Sequence, residues 1–188
     1  GRTGGGWGGG REARGGGWVT AEQEWHARLP GGVTGRRAGG LGRGCGGPGA
    51  GIGVERYTRR EPESIGREAA NRALTALDGA DPPGGALTVI LGSSGGGLLL
   101  HEACGHGLEG DGLSRGSSIF ALTQGIRIGS KGVTAIDDPS LDLAYGSYGV
   151  DDEGTPASPT VLLDQGVQTG GLTDRATAQL LDSAASAN

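Results

Sequence analysis

The stretch LLLHEACGHGL, residues 98–108, decides most of what the sequence predicts. Its length and its apolar beginning favour a helix. That helix carries two of the three histidines of the chain, His101 and His106, with Glu102 beside the first. Imidazole is the commonest metal ligand in proteins, and a neighbouring carboxylate can act as general base on a metal-activated water. We therefore predict a metal site with His101 and His106 as ligands and Glu102 as the catalytic base.

The spacing of the two histidines is unusual for a helical metal site. Positions i and i+5 lie about 140° apart around an ideal α-helix, so the two rings could not bind one ion. A π-type turn absorbs one extra residue and realigns these positions. Gly105, just before His106, is a residue type that permits such a distortion. We predict a π-bulge near Gly105; the alternative, two helical histidines without a metal, stays open at this point.

A zinc site in a hydrolase needs a third protein ligand, and the residues near the motif do not identify one. Cys104 is expected to be a small packed residue. Glu109 and Asp111 could reach the metal region, but solvated or capping carboxylates are the favoured interpretation. His26 and Cys45 lie far upstream, in a glycine-rich region.

The segment before the motif predicts a strand and a turn. Residues 87–91 (LTVIL) form a continuous apolar run typical of a buried strand, and residues 92–97 (GSSGGG) predict a flexible turn whose glycines let the strand pack closely on the motif helix. This order resembles a phosphate-binding loop in outline. A P-loop would need Gly-Lys-Ser/Thr where the chain has Gly97, Leu98 and Leu99, which argues against a nucleotide site.

Further upstream, residues 62–78 predict an amphipathic helix. Its apolar stripe consists of Ile65, Ala69, Ala73, Leu74 and Leu77. A rigid Pro-Gly linker follows at residues 81–85 and is the best candidate for a domain boundary.

Downstream, short strands and one helix are expected. Residues 133–136 predict a strand, residues 160–163 and 167–172 a hairpin around Asp164, Gln165 and Gly166, and residues 175–181 a helix capped by Asp174. Helices and strands alternate without regular βαβ spacing, so the predicted fold class is α+β.

A group of carboxylates offers a rival metal site. Asp151, Asp152 and Glu153, with Asp137 and Asp138 nearby, could hold Ca²⁺ or Mg²⁺. The spacing of an EF-hand is absent, and turn carboxylates are the favoured interpretation.

Composition separates the first 53 residues from the rest. Half of the 44 glycines lie in residues 1–53, together with seven arginines and three glutamates, whereas the remainder is acidic. We expect flexible loops joining short strands there. An RNA-binding Arg-Gly-Gly tail would repeat its unit, but the best match, at residues 14–18, occurs once, so no nucleic-acid partner is expected. No apolar run approaches the roughly 18 residues of a membrane span. The two cysteines cannot build a disulfide framework, which favours a reducing, cytoplasmic location.

Residues 99–111 (LLHEACGHGLEGD) resemble the signature of the TldD/PmbA metallopeptidases, in particular the TldD-type subunit that keeps a His-Glu-x-x-x-His motif. The similarity extends upstream to REAANRALTALD (67–78) and LTVILG (87–92). It extends downstream to RGSSIF (115–120), VDDEGTP (150–156) and the hairpin at 160–175. It is good over residues 61–188, weaker over 33–60 and unconvincing before that.

The resemblance implies a zinc-dependent peptidase acting on small or unfolded peptides. His101 and His106 take the zinc-ligand positions and Glu102 the general-base position. The third ligand in the family is a cysteine far downstream, so it is expected outside this chain. The family also implies a homologous partner subunit, forming a homodimer or a heterodimer with a PmbA/TldE-like chain. A non-catalytic TldD-like scaffold or partner subunit without a complete metal site is the alternative function.

The resemblance also suggests a division of the chain. Residues 1–53 are the Gly-rich leader, residues 54–80 the end of a mixed α/β N-terminal domain, and residues 86–188 the incomplete start of a mostly β C-terminal metallopeptidase domain that carries the motif helix.

Overall fold

The computed structural model describes residues 7–15, 18–28, 30–37, 40–47, 49–51, 53, 55 and 62–187, with backbone only for 7–15, 18–27 and 94. Helices and strands are mixed along the chain, which confirms the α+β class. From residue 62 onward the chain divides into two compact units. One contains the residues up to Leu87 together with Asp142–Gly146, and the other contains Thr88–Leu141 and the residues from Ser147 onward. The three predicted ranges 1–53, 54–80 and 86–188 stay a prediction.

The glycine-rich region contains more strand than its composition suggests. Strands β1 (Trp7–Gly15), β2 (Trp18–Arg28) and β5 (Gly49–Ala50) form a sheet in the order β1-β2-β5. Strands β3 (Gly31–Arg37) and β4 (Gly40–Gly46) form an antiparallel hairpin. The four longer strands have 9, 11, 7 and 7 residues, so short strands joined by loops are an incomplete description. The Arg-Gly-Gly match includes residues 16 and 17, which lie outside the described residues.

Helix α1 (Pro62–Leu77) packs on the β3–β4 hairpin. Its predicted stripe is largely confirmed, because Ile65, Ala69 and Ala73 are buried. Leu74 is 49% exposed, so its assignment to the buried stripe is wrong. It follows Ala73 directly and is therefore rotated by about 100° from the buried side.

Two glycines of β4 explain why this hairpin can lie so close to α1. A Cβ atom added at Gly44 would lie 1.9 Å from the carbonyl oxygen of Ala69, and one added at Gly42 would lie 2.1 Å from that of Ala73. No side chain fits at such distances. These two glycines therefore serve a packed contact between strand backbone and helix backbone.

The buried strand expected at residues 87–91 is wrong. These residues form no strand, and Ile90 is 94% exposed. A strand is stable only when a neighbouring strand satisfies its backbone, and no strand of the described residues pairs with this run. The expected turn at 92–97 is also wrong, since helix α2 (Ser93–Leu100) already begins at Ser93. A Cβ at Gly92, Gly95 or Gly97 would meet open space, so these glycines do not serve close packing.

The second unit contains a three-stranded antiparallel sheet in the order β6-β7-β8, with β6 at Ala135–Asp137, β7 at Thr160–Asp164 and β8 at Val167–Gln168. The predicted hairpin is confirmed, although β8 is shorter than expected. Gln165 and Gly166 take the positive φ angles, 47° and 81°, that a tight two-residue turn requires.

Two short helices complete this unit. Helix α3 (Gly110–Ser114) follows the motif, and helix α4 (Arg175–Leu180) lies near the end of the chain. The predicted cap of α4 is confirmed, because the Asp174 carboxylate accepts the backbone N–H of Thr177 at 2.7 Å. None of the helices in the described part of the chain is both long and apolar enough to cross a bilayer.

Candidate metal centre

The motif residues continue directly from helix α2 in a widened turn. Residues His101–Gly105 form a π-helix, and His106–Leu108 form a short 3-10 turn. The backbone N–H of His106 donates to the carbonyl oxygen of His101, five residues earlier, which confirms the predicted π-bulge. Gly105 has φ −54° and ψ −58°, an ordinary right-handed helical conformation that residues other than glycine also adopt.

An apolar stripe determines which side of this helix faces outward. Leu108 is buried in a core with Ala135, Leu162 and Leu163, and Leu100 and Cys104 pack against the same cluster. The packed role expected for Cys104 is thereby confirmed. These three motif residues follow one another at intervals of four, as one face of a helix does.

The three predicted site residues lie on the exposed side of the motif. One ligand atom from each of His101, Glu102 and His106 lies within 4.8 Å of the other two. The imidazole centroids are 4.5 Å apart with the ring planes at 68°. The Nε2 atom of His106 is 4.0 Å from Oε2 of Glu102. Two imidazoles and a carboxylate so close together are a donor set that zinc accepts, so the residues present fit a zinc ion.

Glu109 is the one site residue that sequence reasoning undervalued. Its Oε1 lies 2.7 Å from Nδ1 of His106. Glu109 is the N-cap residue of α3, but its side chain makes no capping hydrogen bond. The signal was present in the sequence, because residues at i and i+3 are neighbours on a helical surface.

The other residues considered as ligands lie elsewhere. Asp111, in helix α3, pairs with the C-cap residue Arg115 at 3.2 Å. Cys45 is an exposed residue of β4, and the side chain of His26 lies outside the described residues. Within the described ranges, no cysteine joins His101, Glu102 and His106 as a further ligand.

In the rival carboxylate site, Asp151 and Glu153 accept hydrogen bonds from backbone N–H groups. Asp151 is buried, and its Oδ1 accepts the backbone N–H groups of Glu153 at 2.9 Å and Thr155 at 2.7 Å. Glu153 in turn accepts the backbone N–H of Arg175 at 2.8 Å, at the start of α4. Both carboxylates thus have a structural explanation, in agreement with the favoured interpretation.

Asp137, at the end of β6, is linked electrostatically to the site. Burial raises the pKa of its carboxyl group, the neighbouring Asp138 raises that pKa further, and His101 lowers it. A positive charge at His101 therefore favours the ionised form of Asp137.

Comparisons with known proteins identify the family of this chain. The family described as "PmbA/TldA metallopeptidase C-terminal domain" matches residues 84–188. The chain is 40% identical over 134 residues to a metalloprotease of Methanothermobacter thermautotrophicus, covering 71% of this chain and 29% of that protein. It is 39% identical over 122 residues to the metalloprotease TldD homolog of Buchnera aphidicola, covering 65% and 25%. The chain thus spans little more than a quarter of the length of these relatives.

Solved structures show the same fold at low sequence identity. A candidate modulator of DNA gyrase from Bacteroides thetaiotaomicron superposes with a TM-score of 0.76 at 20% identity, covering 91% of this chain and 38% of the other. TldE from Thermococcus kodakarensis superposes with a TM-score of 0.69 at 18% identity, covering 90% and 38%. The family model and the sequence relatives show that the chain belongs to the PmbA/TldD metallopeptidase family.

Proposed function

We propose that this chain supplies the His-Glu-x-x-x-His part of a zinc peptidase site. The observation that carries the proposal is the clustering of His101, Glu102 and His106 within 4.8 Å on an exposed surface. His101 and His106 would hold the ion. When bound, zinc supplies Lewis acidity, which makes water more acidic and polarises a peptide carbonyl.

Glu102 is the proposed general base. Its side chain is exposed, and its carboxylate lies on the same side of the motif as Nε2 of His106. From there it can accept a proton from an attacking water and return it to the departing amine.

The test is a substitution in the full-length protein that contains these residues. Glu102→Gln is expected to keep bound zinc, measured by elemental analysis, and to lower peptide hydrolysis by about 10²–10⁴-fold. His101→Ala is expected to lose the zinc. Asp111→Asn is the matched carboxylate control and keeps both properties. Full turnover of the Glu102→Gln enzyme would remove Glu102 from the role of base.

The substrate, partner and location belong to this proposal too. Small or unfolded peptides, a homologous partner subunit and a cytoplasmic location follow from the family resemblance and the cysteine usage. The third zinc ligand, a cysteine, is proposed to lie in the part of the protein beyond this chain. Digestion of an unfolded and a folded form of one substrate, co-purification with a PmbA/TldE-like chain, and cell fractionation test these points separately.

The alternative is a scaffold subunit that hydrolyses nothing. The observation in its favour is that the cluster of mutually close ligand atoms in the described residues consists of His101, Glu102 and His106, without a cysteine. Stoichiometric zinc in the full-length protein, lost on His101→Ala, would exclude the scaffold, whereas a zinc-free full-length protein would favour it.

A further inference from the structure

The contact between Glu109 and His106 involves one of the two ring nitrogens of the imidazole. Nδ1 of the ring lies 2.7 Å from Oε1 of Glu109. An ionised carboxylate only accepts hydrogen bonds, so a neutral imidazole must carry its proton on Nδ1 to make this contact. The lone pair then lies on Nε2, the nitrogen 4.0 Å from Oε2 of Glu102.

Glu109 is held in this position by its backbone. Its extended conformation, φ −70° and ψ 139°, ends the motif helix. On one side Leu172 donates its N–H to Leu108 at 2.8 Å, and on the other Gly110 donates to Leu172 at 2.6 Å. Two hydrogen bonds to one residue fix the register of Glu109 against the chain segment at Leu172.

Gly110 strengthens this attachment. A Cβ atom there would lie 2.5 Å from Oγ1 of Thr177 and 2.9 Å from the carbonyl oxygen of Leu172. The residue after Glu109 is therefore packed without space for a side chain. As a result, the backbone of Glu109 has little freedom to move away from His106.

We propose that Glu109 is a positioning residue that fixes the Nδ1–H tautomer and the ring orientation of His106, leaving Nε2 for the metal. The inference rests on the proposed metal site but not on peptide hydrolysis. A carboxylate that holds a ligating histidine through its other nitrogen commonly contributes 10–100-fold to metal affinity.

The first test reads the tautomer directly in the metal-free chain. Long-range ¹H–¹⁵N NMR of the 188-residue protein is expected to show His106 as the Nδ1–H form. Glu109→Ala removes the acceptor, and the Nε2–H form is then expected to appear. Asp111→Ala, which removes a carboxylate two residues away that pairs with Arg115, leaves the spectrum of His106 unchanged. A wild-type protein with His106 in the Nε2–H form would overturn the proposal.

The second test measures affinity for Zn²⁺ added alone, by competition with a chelator. Glu109→Ala is expected to bind about 10–100-fold more weakly than wild type, and Asp111→Ala equally well. Glu109→Gln keeps an acceptor oxygen of the same reach, so it is expected to lose less affinity than Glu109→Ala and to serve as the decisive variant if the alanine protein does not fold. Unchanged affinity in both Glu109 variants would overturn the proposal.

The two tests separate this inference from the peptidase proposal. If the full-length enzyme hydrolyses no peptide but the tautomer and zinc results are as expected, the function fails and the role of Glu109 stands. If hydrolysis depends on Glu102 but His106 is in the Nε2–H form, the peptidase proposal stands and the role of Glu109 fails.

Discussion

The backbone N–H of His106 donates to the carbonyl oxygen of His101, and in the π turn that this i→i+5 hydrogen bond closes the two imidazole rings lie 4.5 Å apart. The widened turn uses ordinary helical angles at Gly105. The anchoring of the motif therefore has to come from its packed side rather than from a special glycine conformation. Comparing the two glycines of the motif tests this conclusion.

Gly105→Ala is expected to be tolerated and Gly107→Ala to be destabilising. A Cβ at Gly105 would lie 3.5 Å from Nδ1 of His101, an ordinary contact, and alanine favours helices by about 1 kcal/mol over glycine. A Cβ at Gly107 would lie 2.6 Å from the Phe120 ring, which packs on the core, so a loss of about 1–3 kcal/mol is expected. Urea unfolding of the two variants measures the difference, and equal stabilities would contradict it.

Gly44→Ala is expected to destabilise the first unit, whereas Gly32→Ala is not. At Gly44 the new Cβ would lie 1.9 Å from the carbonyl oxygen of Ala69, so the helix would have to move away. This displacement is expected to lower the free energy of unfolding by about 1–3 kcal/mol or more. A Cβ added at Gly32, in the paired strand β3, would meet no atom within 4 Å. Alanine there is expected to raise the free energy of unfolding by about 0.5–1 kcal/mol, because it restricts the unfolded chain. Chemical denaturation of both variants measures the free energy of unfolding. An unchanged value for Gly44→Ala would show that the hairpin and α1 are not in contact.

Leu108→Ala and Ile90→Ala are expected to differ strongly. Leu108 is 1% exposed in the core beneath the motif, so its truncation is expected to cost about 2–5 kcal/mol. Ile90 is 94% exposed, and its truncation is expected to change stability by less than about 0.5 kcal/mol. Thermal unfolding followed by circular dichroism measures both. A large loss on Ile90→Ala would mean that residues 87–91 are buried after all.

The cap of α4 predicts a dependence of stability on pH. Hydrogen bonds from the Thr177 hydroxyl and backbone N–H hold the pKa of Asp174 below its ordinary value of 3.8. A lowered pKa in the folded state means that the stabilising contribution is complete above the unfolded pKa and is lost as the pH falls through the folded pKa. Asp174→Ala is therefore expected to lower Tm at pH 7, with a difference from wild type that narrows below pH 3.8.

The control for this cap is Asp81→Ala, in the exposed linker, which is expected to leave Tm unchanged at both pH values. A difference between wild type and Asp174→Ala that stays constant down to pH 3 would contradict the capping role.

Local patterns predicted the elements whose causes are local. The stripe of α1, the cap at Asp174, the two-residue turn at Gln165 and Gly166, and the π turn at His101 all follow from spacing or from single-residue conformational preferences. The site residues His101, Glu102 and His106 could be predicted for the same reason, because they lie close together in the sequence of one short motif.

Features that depend on distant partners were not predictable. Residues 87–91 have the composition of a strand, but pairing is decided by neighbours that the run itself does not specify. The contact of Gly44 with Ala69 joins residues 25 positions apart, and glycine in a sequence indicates freedom as readily as close packing. The position of Glu109 depends on Leu172, which holds the backbone after the motif.

The contact between the β3–β4 hairpin and α1 has a mechanical consequence. At Gly42 and Gly44 the strand backbone lies directly against the helix backbone, so β4 has no side chain at these two positions that could adjust to a displacement. Helix and hairpin are therefore expected to move together as one rigid unit. A bulky residue at either glycine would separate the helix from the hairpin, because the contact leaves no space in which the new side chain could be accommodated.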